Sequence, residues 1–91
     1  MSLANSLGPP TGFGTLYLFR ASAMALAKLY VGDELGELDI HTLQCLLHYL
    51  ERIEHEFADI VKAIIDGDNN KDTLAKIGKW VTLQADMIEE K

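Results

Sequence analysis

The chain has 91 residues and a formal net charge of −6, so it forms one domain at most and lacks the basic surface that nucleic acids and anionic membranes require. Its hydrophobic fraction of 48% excludes a disordered chain. The single cysteine, Cys45, excludes an internal disulfide framework and indicates a reducing, cytoplasmic setting.

The first 14 residues contain Gly8-Pro9-Pro10 and Gly12-Phe13-Gly14, which block regular helix. We therefore expect a flexible N-terminal arm over residues 1–14 and a single helical domain over residues 15–91. If the arm has a function, it crosses onto a neighbouring subunit with Phe13 as its anchor.

The first predicted helix runs from Thr15 to Val31 and ends at Gly32. Its main apolar face consists of Leu16, Phe19, Ala23, Leu26 and Tyr30. A second apolar strip lies beside that face and consists of Tyr17, Met24 and Val31. A helix that is apolar over most of its circumference must be covered on more than one side. A membrane span is not expected, because Arg20 and Lys28 interrupt the apolar run.

A long central helix is predicted over Asp39–Asp66, with Asp39 as N-cap and Gly67 as the residue that ends it. Its apolar residues recur at heptad positions a and d, which is typical of a helical bundle or coiled coil. These seven positions, the predicted core or interface, are Leu43, Leu46, Leu50, Ile53, Phe57, Ile60 and Ile64.

A turn is predicted over residues 66–70 and a third helix over Asp72–Glu90, capped by Asn70 or Asp72. The central helix would be about 42 Å long, and the first and third about 25 and 28 Å. The shorter helices cannot cover the central one completely. We therefore expect an all-α, three-helix bundle completed by homodimerisation or by a partner helix.

Three histidines, His41, His48 and His55, recur at heptad spacing on the polar face of the central helix. Neighbouring members would lie about 10.5 Å apart, too far to share a metal ion whose ligand bonds are near 2 Å. Smaller sets, His48 with Glu51 and His55, or Cys45 with His48, have spacings that allow chelation. The charged neighbours favour a solvated face, so no metal or cofactor is predicted.

Paired carboxylates provide an enzymatic alternative. Glu34 and Glu37 are followed, after 18 residues, by Glu56 and Asp59. This ExxE…ExxD order resembles the Mg²⁺-binding pattern of the MazG-like all-α nucleoside triphosphate pyrophosphatases. The resemblance implies that four carboxylates from two antiparallel helices hold Mg²⁺ on a triphosphate. That arrangement needs a chain reversal between the pairs, whereas a continuous central helix would place Glu37 and Glu56 about 28 Å apart.

A second alternative is a helix-turn-helix DNA-binding regulator, with Phe57–Ile65 and Thr73–Leu83 as its helices and Lys71, Lys76 and Lys79 as a basic edge. The acidic total makes nucleic acid an unfavoured partner. No pattern for nucleophilic catalysis occurs. The sequence thus favours a small non-enzymatic helical interaction or oligomerisation protein.

Overall fold

The computed structural model describes residues 13–89. In this part of the chain it contains four helices and no strands: α1 (Phe13–Tyr30), α2 (Glu37–Arg52), α3 (Phe57–Ile65) and α4 (Lys71–Glu89). The predicted all-α class is confirmed. The predicted arm lies outside the described residues, except that Phe13 and Gly14 already belong to α1. None of the four helices is long and apolar enough to cross a membrane.

Helices α1 and α4 form the most extensive pair of the bundle and run antiparallel. In the first half of α1, Arg20 forms ion pairs with Asp86, at 3.4 Å, and with Glu89, both near the end of α4. At the opposite end, Lys71 at the start of α4 donates a hydrogen bond to the carbonyl of Tyr30. Helix α2 packs against α1, and α3 packs against α2 and α4.

The hydrophobic core lies between all four helices. Its buried members are Phe19, Ala25, Leu26, Leu43, Leu46, Leu50, Val61, Ile64, Leu74, Ile77, Val81 and Ala85. Burial of a large aliphatic side chain contributes about 1.5–3 kcal/mol. The core therefore takes apolar side chains from all four helices.

The single long central helix predicted over Asp39–Asp66 is wrong, because the chain breaks after Arg52 and continues as a separate helix from Phe57. Glu54 adopts a positive φ of 56°. Its N–H donates to the carbonyl of Glu51, and the N–H of His55 donates to that of Leu50. This pair of hydrogen bonds is the Schellman motif that closes a helix C-terminus.

The same motif ends α1 and α3, where glycine occupies the position of positive φ. Gly32 has a φ of 91° and Gly67 a φ of 118°. In each case the next residue, Asp33 or Asp68, donates its N–H to a carbonyl five residues earlier. Both predicted helix ends are confirmed. Glu54 fills the equivalent position without the glycine that would have marked it in the sequence.

The start of α2 also differs from the prediction. The helix begins at Glu37 with Gly36 as N-cap, so Asp39 lies inside the first turn and is not the cap. Its carboxylate accepts hydrogen bonds from the Gly36 N–H, at 3.1 Å, and from Lys28 of α1, at 2.9 Å. These two hydrogen bonds hold the pKa of Asp39 below its ordinary value, and the bond from Lys28 has the larger effect. Asp39 therefore links α2 to α1.

The turn before α4 agrees with the prediction. The Asp68 carboxylate accepts a hydrogen bond from the Asn70 N–H at 3.0 Å, and the Asn70 side chain accepts one from the Thr73 N–H at 3.1 Å. Asn70 is thus the N-cap, and α4 begins at Lys71. The chain forms a four-helix arrangement instead of the predicted three helices. No 42 Å helix remains for a second chain to cover.

Candidate interaction surface

The seven heptad residues predicted as core or interface lie mostly inside the fold. Leu43, Leu46, Leu50 and Ile64 are buried, and Phe57 and Ile60 are partly buried against the same core. Ile53 is the exception, because it falls in the turn after α2 and is 48% exposed. The six residues other than Ile53 therefore pack within one chain. A surface for another chain has to be sought elsewhere.

His55 is part of an aromatic cluster at the turn between α2 and α3. Its Nδ1 accepts a hydrogen bond from the Phe57 N–H at 3.0 Å. Its ring centroid lies 4.7 Å from that of Trp80 and 4.9 Å from that of Phe57. Phe19 contacts the other side of this cluster, 5.8 Å from Trp80. His55 thus contributes to packing and to the start of α3.

The predicted metal candidates are not assembled. Among residues 13–89, no group of three or more His, Cys, Asp or Glu side chains is placed to hold a metal ion. His48 and Glu51 are exposed on α2, whereas His55 is half-buried in the turn.

The four carboxylates of the ExxE…ExxD pattern lie at opposite ends of α2, although the chain does reverse. Glu34 and Glu37 precede or begin α2, while Glu56 and Asp59 lie at the start of α3. Leu35, Leu43 and Ile64 line one shared groove, so the end of α3 returns to the start of α2. The 16 residues of α2 therefore separate the two carboxylate pairs by about 24 Å.

The lysines of the helix-turn-helix alternative have three different environments. Lys71 lies 4.6 Å from the ring centroid of Tyr30, and Lys76 lies 5.6 Å from that of Phe57. Lys79 lines the groove between α1 and α4. These side chains do not form one basic edge on α4.

An apolar concavity with a volume of about 570 Å³ lies between α1 and α4. We name it the α1–α4 groove. It is lined by Ala23, Leu26, Ala27, Tyr30, Val31, Leu74, Ala75, Gly78, Lys79, Thr82, Leu83 and Asp86. Ala23, Ala27, Ala75 and Gly78 have small or no side chains, so the backbone of a neighbouring helix can approach the groove closely at these positions. An added Cβ at Gly78 would still lie 4.0 Å from the Cβ of Leu26.

Exposed apolar side chains continue outward from this groove. Tyr17, Met24 and Val31, the predicted second strip of the first helix, are 68%, 66% and 69% exposed. On α4, Leu83 and Met87 are 52% and 50% exposed. We call the groove together with Tyr17, Met24 and Met87 the α1–α4 face. The strip that the sequence predicts to need a cover has none within residues 13–89.

Two side chains of opposite charge, Lys79 and Asp86, lie on either side of Leu83 on α4. Lys79 precedes Leu83 by one helical turn and Asp86 follows it by almost one turn, and all three line the groove. Asp86 also faces Arg20 of α1. The sequence analysis places Lys79 on a basic edge of this helix but does not connect it with Leu83 and Asp86 in one apolar face. Exposed Leu83 and Met87, four residues apart, were the available signal.

Comparison with known proteins finds no matching family model, no similar curated protein and no similar solved structure.

Proposed function

We propose that the protein is a small, non-enzymatic helical interaction module that pairs with a second copy of itself through the α1–α4 face. The observation that carries this proposal is the uncovered apolar strip of α1 beside an apolar groove. Contiguous exposed apolar surface of this kind marks interaction sites in proteins that remain soluble.

The charge pattern of α4 favours a second copy over an unrelated partner. In a two-fold symmetric interface, both chains use the same surface. If a first residue of one chain contacts a second residue of the other, the reverse contact forms as well. If two α4 helices pack antiparallel with Leu83 near the axis, Lys79 approaches the partner's Asp86, and the reverse pair forms by symmetry. Each Asp86 then lies between Arg20 of its own chain and Lys79 of the other chain.

Small residues support the same geometry. Ala75 and Gly78 of α4, with Ala23 and Ala27 of α1, leave room for a neighbouring helix at short distance. Leu83, Met24 and Val31 then supply side chains that lose water-exposed area. Each square ångström of apolar surface removed from water contributes about 25 cal/mol.

The test is absolute mass by light scattering after size exclusion, over a concentration series. We expect a dimer for the native chain and a monomer for Leu83→Glu, which places a charge at the centre of the apolar face. Lys79→Glu weakens the dimer, because it brings carboxylates together. The double variant Lys79→Glu/Asp86→Lys restores it in part, because the opposite charges are exchanged across the interface while the Arg20–Asp86 ion pair within each chain is lost.

Lys62→Glu is the matched control, since Lys62 is exposed on α3 and does not line the groove. It makes the same charge change as Lys79→Glu and should leave the dimer intact. Circular dichroism confirms that each variant remains helical. A native chain that is monomeric at every concentration overturns the self-pairing proposal and makes a partner helix the subject of the search.

A further inference from the structure

A second groove lies where the end of α1, the start of α2 and the end of α3 meet, and its volume is about 390 Å³. We name it the α1–α2–α3 groove. Ile40 is 40% exposed on its surface, and several other lining residues are only partly buried. Its floor is therefore apolar area that is open to solvent. The apolar residues of this floor are Leu29, Leu35, Ile40, Leu43, Ile64 and Ile65.

The rim of this groove is acidic. Asp33 and Glu34 line it directly, and Glu37, Asp66 and Asp68 are close to other lining residues along the chain. These carboxylates are all exposed, and none of them forms an ion pair within residues 13–89. Helices α1 and α3 also end at the groove, and a helix C-terminus carries a partial negative charge. The apolar floor thus has an uncompensated negative rim.

Two lysines near the end of α1 already have partners and do not neutralise this rim. Lys28 pairs with Asp39 at 2.9 Å. Lys71 donates a hydrogen bond to the Tyr30 carbonyl and lies 4.6 Å from the Tyr30 ring centroid. The negative charge of the rim is therefore available to the cations of another molecule.

The rim also decides which kinds of partner do not fit. Two-fold pairing of this chain through the groove would bring two acidic rims together, and like charges across an interface oppose association. Nucleic acids and anionic membranes are repelled for the same reason. The complementary partner carries positive charge beside apolar side chains.

We propose that the α1–α2–α3 groove binds a basic amphipathic peptide segment of another protein. Aliphatic side chains of the segment contact the apolar floor, and its lysine or arginine side chains face the acidic rim. The volume of about 390 Å³ falls within the range of ligand pockets, about 300–1,000 Å³, and accommodates a few side chains. The two grooves share no lining residue, so this proposal does not depend on self-pairing through the α1–α4 face.

The probe is a fluorescein-labelled peptide of leucine and lysine, about 14 residues long, in which leucine recurs every three or four residues. A peptide with glutamate in place of lysine is the charge control. Fluorescence anisotropy measures binding to the full-length chain over a series of salt concentrations. We expect the lysine peptide to bind with an affinity that falls as salt is added, and we expect no binding of the glutamate peptide.

Two pairs of variants locate the binding. Glu34→Lys reverses a charge of the rim, and Ile40→Ser removes apolar area from the floor. Each should weaken binding of the lysine peptide by about fivefold or more. The matched controls Glu51→Lys and Ile53→Ser make the same changes at exposed positions outside the groove and should leave the affinity within about twofold. Circular dichroism confirms that all of these variants remain helical.

The proposal is overturned if the lysine peptide does not bind or if the glutamate peptide binds as well. It is also overturned if Ile40→Ser keeps the native affinity, or if Glu51→Lys weakens binding as much as Glu34→Lys, which indicates a general attraction to an acidic chain. Glu34→Lys and Ile40→Ser should leave the mass in solution unchanged. The failure of this proposal is thereby distinguished from the failure of self-pairing.

Discussion

Ser22 shows most clearly how a single residue can oppose the packing around it. It is fully buried in α1, and its hydroxyl oxygen has no hydrogen-bond partner among the described residues. A buried polar group without a partner costs roughly 1–3 kcal/mol. Ser22 therefore lies in the core at a cost that an apolar side chain of similar size would not carry.

Ser22→Ala should raise the free energy of unfolding by about 1–2 kcal/mol, because it removes the unpaired hydroxyl and introduces a better helix former. Urea unfolding followed by circular dichroism measures the change. Thr42→Ala is the comparison, since the Thr42 hydroxyl does have a partner, the Leu38 carbonyl at 2.9 Å. A Ser22→Ala protein that is less stable than the native chain would contradict the prediction.

The break between α2 and α3 depends on one residue in an unfavourable backbone conformation. Glu54 has positive φ, which costs a residue with a side chain roughly 1–2 kcal/mol relative to glycine. Glycine at this position also makes the unfolded chain more flexible, which offsets about 0.4–1 kcal/mol of the gain. Glu54→Gly should thus raise the free energy of unfolding by roughly 1 kcal/mol.

Glu51→Gly is the control for this prediction, because Glu51 is exposed in the last turn of α2 and still lies within the helix. There glycine should lower stability by about 0.5–1 kcal/mol, the usual cost of glycine relative to alanine at a helical position. The two substitutions replace the same residue type three positions apart, yet the expected changes have opposite signs. Denaturant titrations in which both variants lose about 1 kcal/mol would indicate a continuous helix through Glu54.

The helix ends show what the sequence can predict. Gly32, Gly67 and Asn70 mark their boundaries because a glycine or a capping side chain satisfies the geometry locally. Glu54 occupies the position of positive φ that glycine usually takes, so no glycine marks this break in the sequence. The heptad repeat also continues across it: Leu50 ends the core face of α2, and Phe57 begins that of α3 seven residues later. Only Ile53 is displaced.

The α1–α4 face could be predicted only in part from the sequence. The apolar strip of α1 follows from the periodicity of one helix. The α4 side depends on which helix packs beside α1, and no local pattern specifies that neighbour. The Cys45 Sγ lies 3.7 Å from the His41 Nε2, a contact that their spacing of four residues predicts, whereas the sequence analysis paired Cys45 with His48.

For the whole molecule, the four-helix arrangement changes the reason to expect self-association. A long central helix would have needed a second chain to cover its length. The shorter α2 and α3 cover their own apolar faces instead, with Leu43, Leu46, Leu50, Val61 and Ile64 all buried. The remaining exposed strip lies on α1, beside α4. Any stabilisation by a second copy should therefore depend on that face and not on the heptad positions of α2 and α3.

Self-association through the α1–α4 face should make thermal stability depend on protein concentration, because binding to the folded state stabilises it by mass action. Each tenfold increase in concentration adds about 1.4 kcal/mol per dimer. For a folding unit of roughly 150–250 residues, this corresponds to an increase in Tm of about 3–6 °C. Circular dichroism melts over a hundredfold concentration range can resolve that slope. Leu83→Glu should remove it, and Lys62→Glu should preserve it. A native Tm that stays constant over the range would show that folding does not depend on a second copy.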